Sequence, residues 1–484
     1  MIIRNRDDIL SQGNTAGRSI VLDILAAGLQ AIEPYGATRK LIRREGDMLF
    51  VGGCVGTDLS GFGDEAIDLA EVEHVYVIGA GKTVQRQAQA LEDLLGDRLT
   101  EGAITIKRGE EVCLKRVQVT EGAHPVPDEH SVLGARRMVE LARRATVRDL
   151  VFTVFSSGAS SLCVLPPDGC TLTDVQAVFR LAIKYGDMSI IWRVMRYFSA
   201  VNSARILMLA RPARSINLLM SFKPYPPWHG ELPRSASWIP TWPPGPRRLD
   251  EAVRELRATP WWSELPASVR AALERHDAAC EVPDLDAFRT LRFSYWQPID
   301  YRTMLEAAAA RAEALGIRGV ILGNWWSVQS ADAAEVMMGI ARECLEREKP
   351  FVPPVALLSG GEMTVPVGNA AGIGGRNQEF VLCAAQRMAE CRGSGLVVGS
   401  VDSDGTDGPG PQLQASAAAL PCLAGGIADE TTWASAASVN LDLAAELERH
   451  NSSPALLALK SAIHTGNTGI CAGDLRVILI PRRG

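Results

Sequence analysis

The chain has 484 residues, 47% hydrophobic and 22% charged, which predicts two or three globular domains and excludes disorder as the main state. With 50 Lys and Arg against 56 Asp and Glu, a net charge of −6, no basic surplus exists to displace counterions, which excludes a dedicated nucleic-acid binder. No apolar run reaches the ~18 residues of a membrane span, and Asp7 and Asp8 sit where a signal peptide is apolar. Ser19–Glu33 has the spacing of an amphipathic helix stopped by Pro34. A β-type run, His74–Ile78, precedes a helix over Thr83–Leu95; Gly102–Lys107 is the next strand, Ser131–Arg144 a helix, and Leu150–Phe155 a third strand. Thr171–Tyr185 opens with Thr-Leu-Thr-Asp, a capping-box spacing. Strands separated by helices of this length predict an α/β fold built on a doubly wound, Rossmann-like parallel sheet.

The pattern breaks over 224–246, where eight prolines and three tryptophans (Trp228, Trp238, Trp242) fall in one stretch. Proline removes ladder donors, so this is expected to be a long surface loop or interdomain crossing, with the tryptophans pinning it to the body. Helical signals resume at Arg248–Arg257 and Pro266–His276. A second β/α series follows: helix Tyr301–Leu315, strand Gly319–Leu322, helix Ala331–Arg347, strand Val355–Leu358, helix Gln378–Glu390, strand Gly395–Ser400, helix Leu441–Arg449 and strand Leu475–Ile480. The boundary is expected within 224–290. Domains are accordingly drawn at 1–255 and 290–484.

Glycine- and hydroxyl-rich turns after strands carry the functional signal. Gly79-Ala-Gly81-Lys82-Thr83 offers free N–H groups at a helix start with a cation beside them, a combination that attracts anions. It misses the dinucleotide fingerprint, because Val84 occupies the third glycine position. Ser156-Ser157-Gly158-Ala159-Ser160-Ser161 follows a strand, where ligands of open α/β sheets collect. Ser359-Gly360-Gly361-Glu362 follows another. In Gly374-Gly375-Arg376-Asn377-Gln378-Glu379, an arginine opens a helix. The helix dipole disfavours a cation there, so an anionic ligand is the expected compensation. Asp404 and Asp407 lie in an acidic turn suited to a hard cation or a substrate hydroxyl, though without EF-hand spacing. His124, in a proline-stiffened loop, reads as a substrate contact or a turn cap; Thr465-Gly-Asn467-Thr468-Gly469 reads as a further backbone cradle. Ten scattered cysteines without a C-x-x-C pair read as reduced thiols of a cytoplasmic protein.

Together these turns resemble the glycerate 2-kinase family whose C-terminal region is the MOFRL domain, from about Ser19 to Ile480. The matching residues are Gly79, Gly81 and Lys82, then His124 to Asp128, then 359–362 and 374–379, and finally 465–469 with Asp474-Leu-Arg476. The resemblance implies phosphorylation of D-glycerate at its 2-hydroxyl, using ATP and Mg²⁺. It also implies a two-domain α/β architecture with the active site in the interdomain cleft and the MOFRL domain over about 354–480. Lys82 and Arg376 are the implied catalytic cations. Gly79, Gly81, His124, Ser156, Gly158, Ser160, Arg196, Ser359, Gly360, Glu362, Gly375, Asn377, Glu379 and Asn467 are the candidate binding residues, and Asp404 and Asp407, from their acidic turn, the candidate metal ligands. A small hydroxy acid and ATP are the expected partners, with no nucleic acid or membrane, and a homodimer is the expected oligomer.

Departures cluster in the N-terminal half. Ser157 and Ala159 stand where the family has glycines, Arg196 lies in a changed helix-turn, and Asn202 replaces a lysine. The family's acid near 222 is Phe222-Lys223, leaving Glu231 as the nearest surviving carboxylate. Two alternatives therefore stay open: a member with altered or lost chemistry acting as a binding or regulatory protein, and an NAD(P)H-dependent hydroxypyruvate reductase, with Lys107-Arg108 at the end of the second strand suiting a 2′-phosphate.

Overall fold

A computed structural model describes residues 2–53, 56–221, 225, 227–228, 231–233, 239–275, 280–300, 302–368, 370–391, 393–408 and 420–482. Phe222, Lys223, Trp238, His276 and Tyr301, named above, lie outside them. The chain divides into two compact units. One is continuous, Pro34–Asp300; the other is discontinuous, Met1–Glu33 with Tyr301–Gly484.

The continuous unit carries β1 (Ile42–Glu45), β2 (Met48–Val51), β3 (Thr57–Asp58), β4 (Glu65–Asp68), β5 (Val75–Ala80), β6 (Glu101–Lys107), β7 (Val117–Gly122), β8 (Leu150–Ser156), β9 (Arg214–Met220) and β10 (Arg292–Gln297). Among the described residues, β1, β2 and β4 form an antiparallel sheet, and the order of the main sheet is β3-β10-β9-β8-β5-β6-β7. Every pairing in the main sheet is parallel except that of β3 with β10. The sheet is covered on both faces. Tyr76, Ile78, Ala80 and Phe155 pack with Ala135, Met138 and Ala142 of the helix Glu129–Arg144, whereas Val75, Val77, Phe152 and Val154 pack with Val84, Ala88 and Leu91 of the helix Val84–Leu95. Burial on both faces explains why β5 and β8 read as unbroken apolar runs. Thr171 caps its helix as the spacing predicts: its Oγ1 accepts from the Asp174 N–H and Asp174 Oδ2 accepts from the Thr171 N–H.

In the Pro/Trp stretch, Trp228 and Trp242 are buried, edge to face at 5.3 Å, and Trp228 lies 4.9 Å from the Tyr295 ring. These two tryptophans pin the loop to its unit, as expected from burying large aromatic area.

The discontinuous unit carries β11 (Arg318–Trp326), β12 (Val355–Gly361), β13 (Val397–Asp402), β14 (Gly425–Asp429), β15 (Ala462–Ile463) and β16 (Asp474–Ile480), in the order β11-β12-β16-β13-β14-β15. Only β11 and β12 run parallel; the final strand enters the middle, antiparallel to both neighbours. The helix Thr15–Ala31 packs on β13, β16 and the helix Thr303–Ala314. Gly28 permits the approach, since a Cβ there would stand 2.5 Å from Leu475. Arg18 Nε meets Asp429 Oδ2 at 2.7 Å with both side chains buried. These contacts correct the expected 1–255 and 290–484 division: the first 33 residues belong with the second unit and the first unit runs on to Asp300. The expectation about apolar runs also changes. Thr15–Leu41 is long and apolar enough to cross a membrane by length and composition, although half of that stretch is buried, as in a core helix.

Candidate functional site

Each unit gathers part of the expected set, at the end of its own sheet. In the continuous unit, β5 and β8 run side by side, so their C-terminal turns are neighbours. Gly79 and Gly81 are there because nothing larger fits: a Cβ would meet Val154 O at 1.9 Å and Ser156 Oγ at 2.1 Å, and Gly81 has φ +144. The turns are then laced together. The Lys82 N–H donates to Ser157 O at 2.9 Å and the Thr83 N–H to Ser156 Oγ at 3.1 Å. Ser156 is therefore a buried brace. Gly158, at φ +89, approaches both Lys82 and His124: a Cβ would lie 3.1 Å from Lys82 Cγ and 3.2 Å from His124 Cδ2. Lys82, His124 and Gly158, from three separate stretches of sequence, thus meet at one point. Ser160 is half-buried on the following turn. Glu231 is exposed, and its carboxylate makes no hydrogen bond or ion pair among the described residues.

We expect Gly158→Ala to test that convergence. The left-handed backbone costs an L-residue about 1–2 kcal/mol, and the new methyl presses on Lys82 and His124. Turnover should fall about tenfold or more while the protein still folds, read as steady-state product formation beside a thermal melt; unchanged turnover would show that Lys82 and His124 need no such close approach.

In the discontinuous unit the register explains the convergence. Asp474, the first residue of β16, pairs with Gly361 on one side and Asp402 on the other. Arg376 opens the helix Arg376–Met388 beside them. Its Nε donates to Asp474 Oδ1 and Oδ2 at 2.9 and 3.0 Å, its Nη2 lies 2.7 Å from Asp402 Oδ2, and Glu362 is 3.8 Å away. Burial works against the charge, but Asp474, Asp402, Glu362 and Asp407 hold the Arg376 pKa well above its ordinary value. The expectation that Arg376 requires an external anion is therefore corrected: carboxylates of its own unit compensate it. Its side chain remains 19% exposed.

Arg476 is fully buried below, donating from Nε to Ser359 Oγ at 2.9 Å, from Nη1 to Asp474 Oδ2 at 3.2 Å and from Nη2 to Gly360 O. Burial pushes its pKa down to about 10. Ser359 and Gly360 are thereby occupied as acceptors.

Asp407 caps the helix that Arg376 opens. Its carboxylate accepts from the Asn377 N–H at 3.1 Å, the Gln378 N–H at 3.0 Å and Asn377 Nδ2 at 3.1 Å. Gly375 makes room for it, since a Cβ there would come within 2.4 Å of Asp407 Cγ. Burial raises the Asp407 pKa against the pull of Arg376. A carboxylate so engaged does not fit a dedicated metal cage, and among the described residues no three His, Cys, Asp or Glu side chains form one. Asp404 Oδ1 accepts from the Thr406 N–H at 2.7 Å, a turn-closing bond. Asn377, fully buried, also donates to Asp474 Oδ1 at 2.8 Å and accepts from Ser400 Oγ. Glu379 points elsewhere, its Oε1 2.8 Å from His450 Nδ1, and burial raises its pKa. Asn467 is exposed, accepting from the Gly469 N–H at 3.1 Å. Asp402, Asp474 and Arg476 hold this cluster together and were absent from the candidate residues. The signal was the Asp-Leu-Arg run, whose alternate residues must face the same side of a strand.

Residues 20–274, more than half of the chain, match the family model described as a domain of unknown function (DUF4147), and residues 355–472 match the MOFRL family. A glycerate 2-kinase of Pyrococcus horikoshii is 29% identical over 96% of this chain and 97% of its own. The chain belongs to the glycerate kinase family. A solved glycerate kinase from Thermotoga maritima superposes with a TM-score of 0.71 at 25% identity, covering 96% of this chain and 99% of the other. A protein of Agrobacterium vitis named "Putative hydroxypyruvate reductase" is 31% identical over 84% of this chain and 98% of its own. Membership agrees with the resemblance read from the turns.

Proposed function

We propose that this chain is an ATP-dependent kinase of D-glycerate, or of a closely related small hydroxy acid, transferring the γ-phosphoryl group to the 2-hydroxyl. The reading is carried by the meeting of Lys82, His124 and Gly158 at the β5–β8 turns, in a family whose named relatives include glycerate kinases. Phosphoryl transfer asks for positioning and positive charge around developing oxygen charge more than for covalent help. Lys82 supplies that charge, and the glycine-lined turn lets backbone N–H groups approach the phosphates. His124, beside Lys82, orients the hydroxy acid. Mg²⁺ would arrive on the nucleotide, since that ion keeps waters and phosphate oxygens and takes only one or two carboxylates. Asp404 and Glu231 remain the proposed carboxylates, with Asp407 withdrawn by its cap. We place the reaction in the cytoplasm on the cysteine pattern.

The test is ADP release over glycerate, erythronate, threonate and tartronate with ATP and Mg²⁺. ADP formation with glycerate, with the phosphate on C2 by phosphorus NMR, is the expected result. Background release across several divalent metals would leave the regulatory alternative standing. The reductase reading has the Agrobacterium name in its favour, yet Val84 is buried where a dinucleotide turn has its third glycine. NADH and NADPH are therefore expected to stay unoxidised with hydroxypyruvate, and oxidation above the no-enzyme control would reverse the assignment.

A further inference from the structure

Buried side-chain polar atoms without a hydrogen-bond partner are few among the described residues. Arg196 has one, but its guanidinium lies 5.4 Å over the Tyr197 ring, and Asn202 still donates to Met195 O at 3.5 Å. Gln87 differs. It is 0% exposed, one turn into the helix Val84–Leu95, and both its Oε1 and its Nε2 lack a partner among the described residues. Gln85, two residues earlier, shows the ordinary arrangement: Nε2 donates to Glu111 O at 3.0 Å and Oε1 accepts from the Cys113 N–H at 3.0 Å. Burying an amide unbonded is unfavourable, so the exception at Gln87 needs a cause.

Thr83 supplies the other half. It is the N-cap of the same helix and 0% exposed, yet its side chain makes no capping bond and its Oγ1 is unpartnered. Its backbone is fixed beside the proposed catalytic lysine. The Thr83 N–H donates to Ser156 Oγ at 3.1 Å, and the preceding Lys82 N–H donates to Ser157 O at 2.9 Å. Residues four apart share a helix face, with Cβ atoms about 5–6 Å apart. A long helical side chain leans back towards the N-terminus, over the residue four earlier, which directs Gln87 at Thr83. Two hydrogen bonds of about 2.8 Å laid end to end span such a gap, so a single water reaches from the hydroxyl to the amide. Water both donates and accepts, which answers all three atoms. A metal cation would leave Nε2 unfilled, and an anion would leave Oε1 unfilled.

We propose that Gln87 is a positioning residue: through one buried water shared with Thr83 Oγ1 it holds the start of the helix, and with it Lys82, against the β5–β8 turns. The effect on turnover rests on the kinase reading; the water itself does not.

The experiment pairs crystallography of the full chain with kinetics of Gln87→Met, Thr83→Val, the double variant and Thr83→Ser. In the wild type, density for one water is expected within about 3.2 Å of Thr83 Oγ1 and of a Gln87 amide atom, and it should vanish in Gln87→Met. No such density, a direct Thr83–Gln87 bond, or a water that persists in Gln87→Met overturns the proposal. In the ADP assay Gln87→Met and Thr83→Val should each lower kcat about 10-fold, the scale of a slight misplacement of a catalytic group, with the KM for glycerate and for ATP within about twofold. The double variant should lose no more than either single, because both break one bridge. Thr83→Ser restores the hydroxyl and should recover most of the wild-type kcat. The melting temperature of Gln87→Met should hold or rise, since a buried amide has been exchanged for an apolar chain of like length. Multiplying losses in the double variant, or a fall in melting temperature with kcat unchanged, overturns the proposal. If Gln87→Met does not fold, Thr83→Val against Thr83→Ser carries the same comparison. Should the wild type release no ADP, the kinase reading fails separately, and the density in wild type and Gln87→Met decides the site.

Discussion

Arg376→Ala is expected to destabilise the discontinuous unit by about 3–5 kcal/mol, the usual cost of removing one partner from a buried ion pair. The reason is what remains. Asp474 and Asp402 are 0% and 3% exposed, and both lean on the Arg376 guanidinium at 2.7–3.0 Å. Without it, Arg476 is left to face Asp474 alone, at 3.2 Å, and Asp402 loses its ion-pair partner. Desolvation then drives carboxyl protonation or opens the cluster to water. Urea unfolding followed by near-ultraviolet circular dichroism measures the effect, and turnover is compared below the variant's melting range. The double variant Arg376→Met, Asp402→Asn should recover part of the loss, because it removes a charge of each sign. Stability unchanged by Arg376→Ala would show that the arginine serves only an external anion, the role its place at a helix start suggests.

Lys82→Met should act in the opposite way, lowering turnover about 10²- to 10³-fold, the scale of one preorganised charge lost from a transition state, with the melting temperature nearly unchanged. Lys82 is half-buried and its backbone N–H already serves the β5–β8 brace. Methionine keeps the stem that packs against Gly158 and removes the ammonium. Steady-state ADP release with glycerate and ATP gives the comparison, and Lys82→Arg should retain an intermediate rate because the charge stays while its shape changes. Turnover within threefold of wild type for Lys82→Met would remove the lysine from the chemistry.

The two variants show which part of the site was readable from sequence. A glycine at 79, 81 or 158 announces close packing, and the structure fills each gap with a named neighbour: Val154 O, Ser156 Oγ, and Lys82 with His124. Local chemistry implied local geometry there. Arg376 was read with the same logic, but its partners are contributed by β13 and β16, 26 and 98 residues further along. Strand register decides that meeting, and register is a tertiary outcome. The strands follow the same division. β5 and β8 stood out because burial on both faces makes them almost wholly apolar. The sheet of β1, β2 and β4 went unpredicted because Arg43, Arg44 and Glu65 interrupt short strands with charge. The strands β9 and β10 hid behind Arg214, Ser215 and Ser294, polar residues that look like loop until the neighbours of the sheet are known. Likewise nothing in Ser19–Glu33 signals that this helix caps β13 and β16 rather than the strands that follow it directly.

Strand β16 occupies the centre of its sheet, bonded to β12 on one flank and β13 on the other. Until it pairs, the unit holds two half-sheets with open edges, although β12 and β13 precede it in the chain by more than seventy residues. A protease cut just before Asp474 would detach both that central rib and the carboxylate anchoring Arg376, so the integrity of the unit is vested in one late-pairing segment.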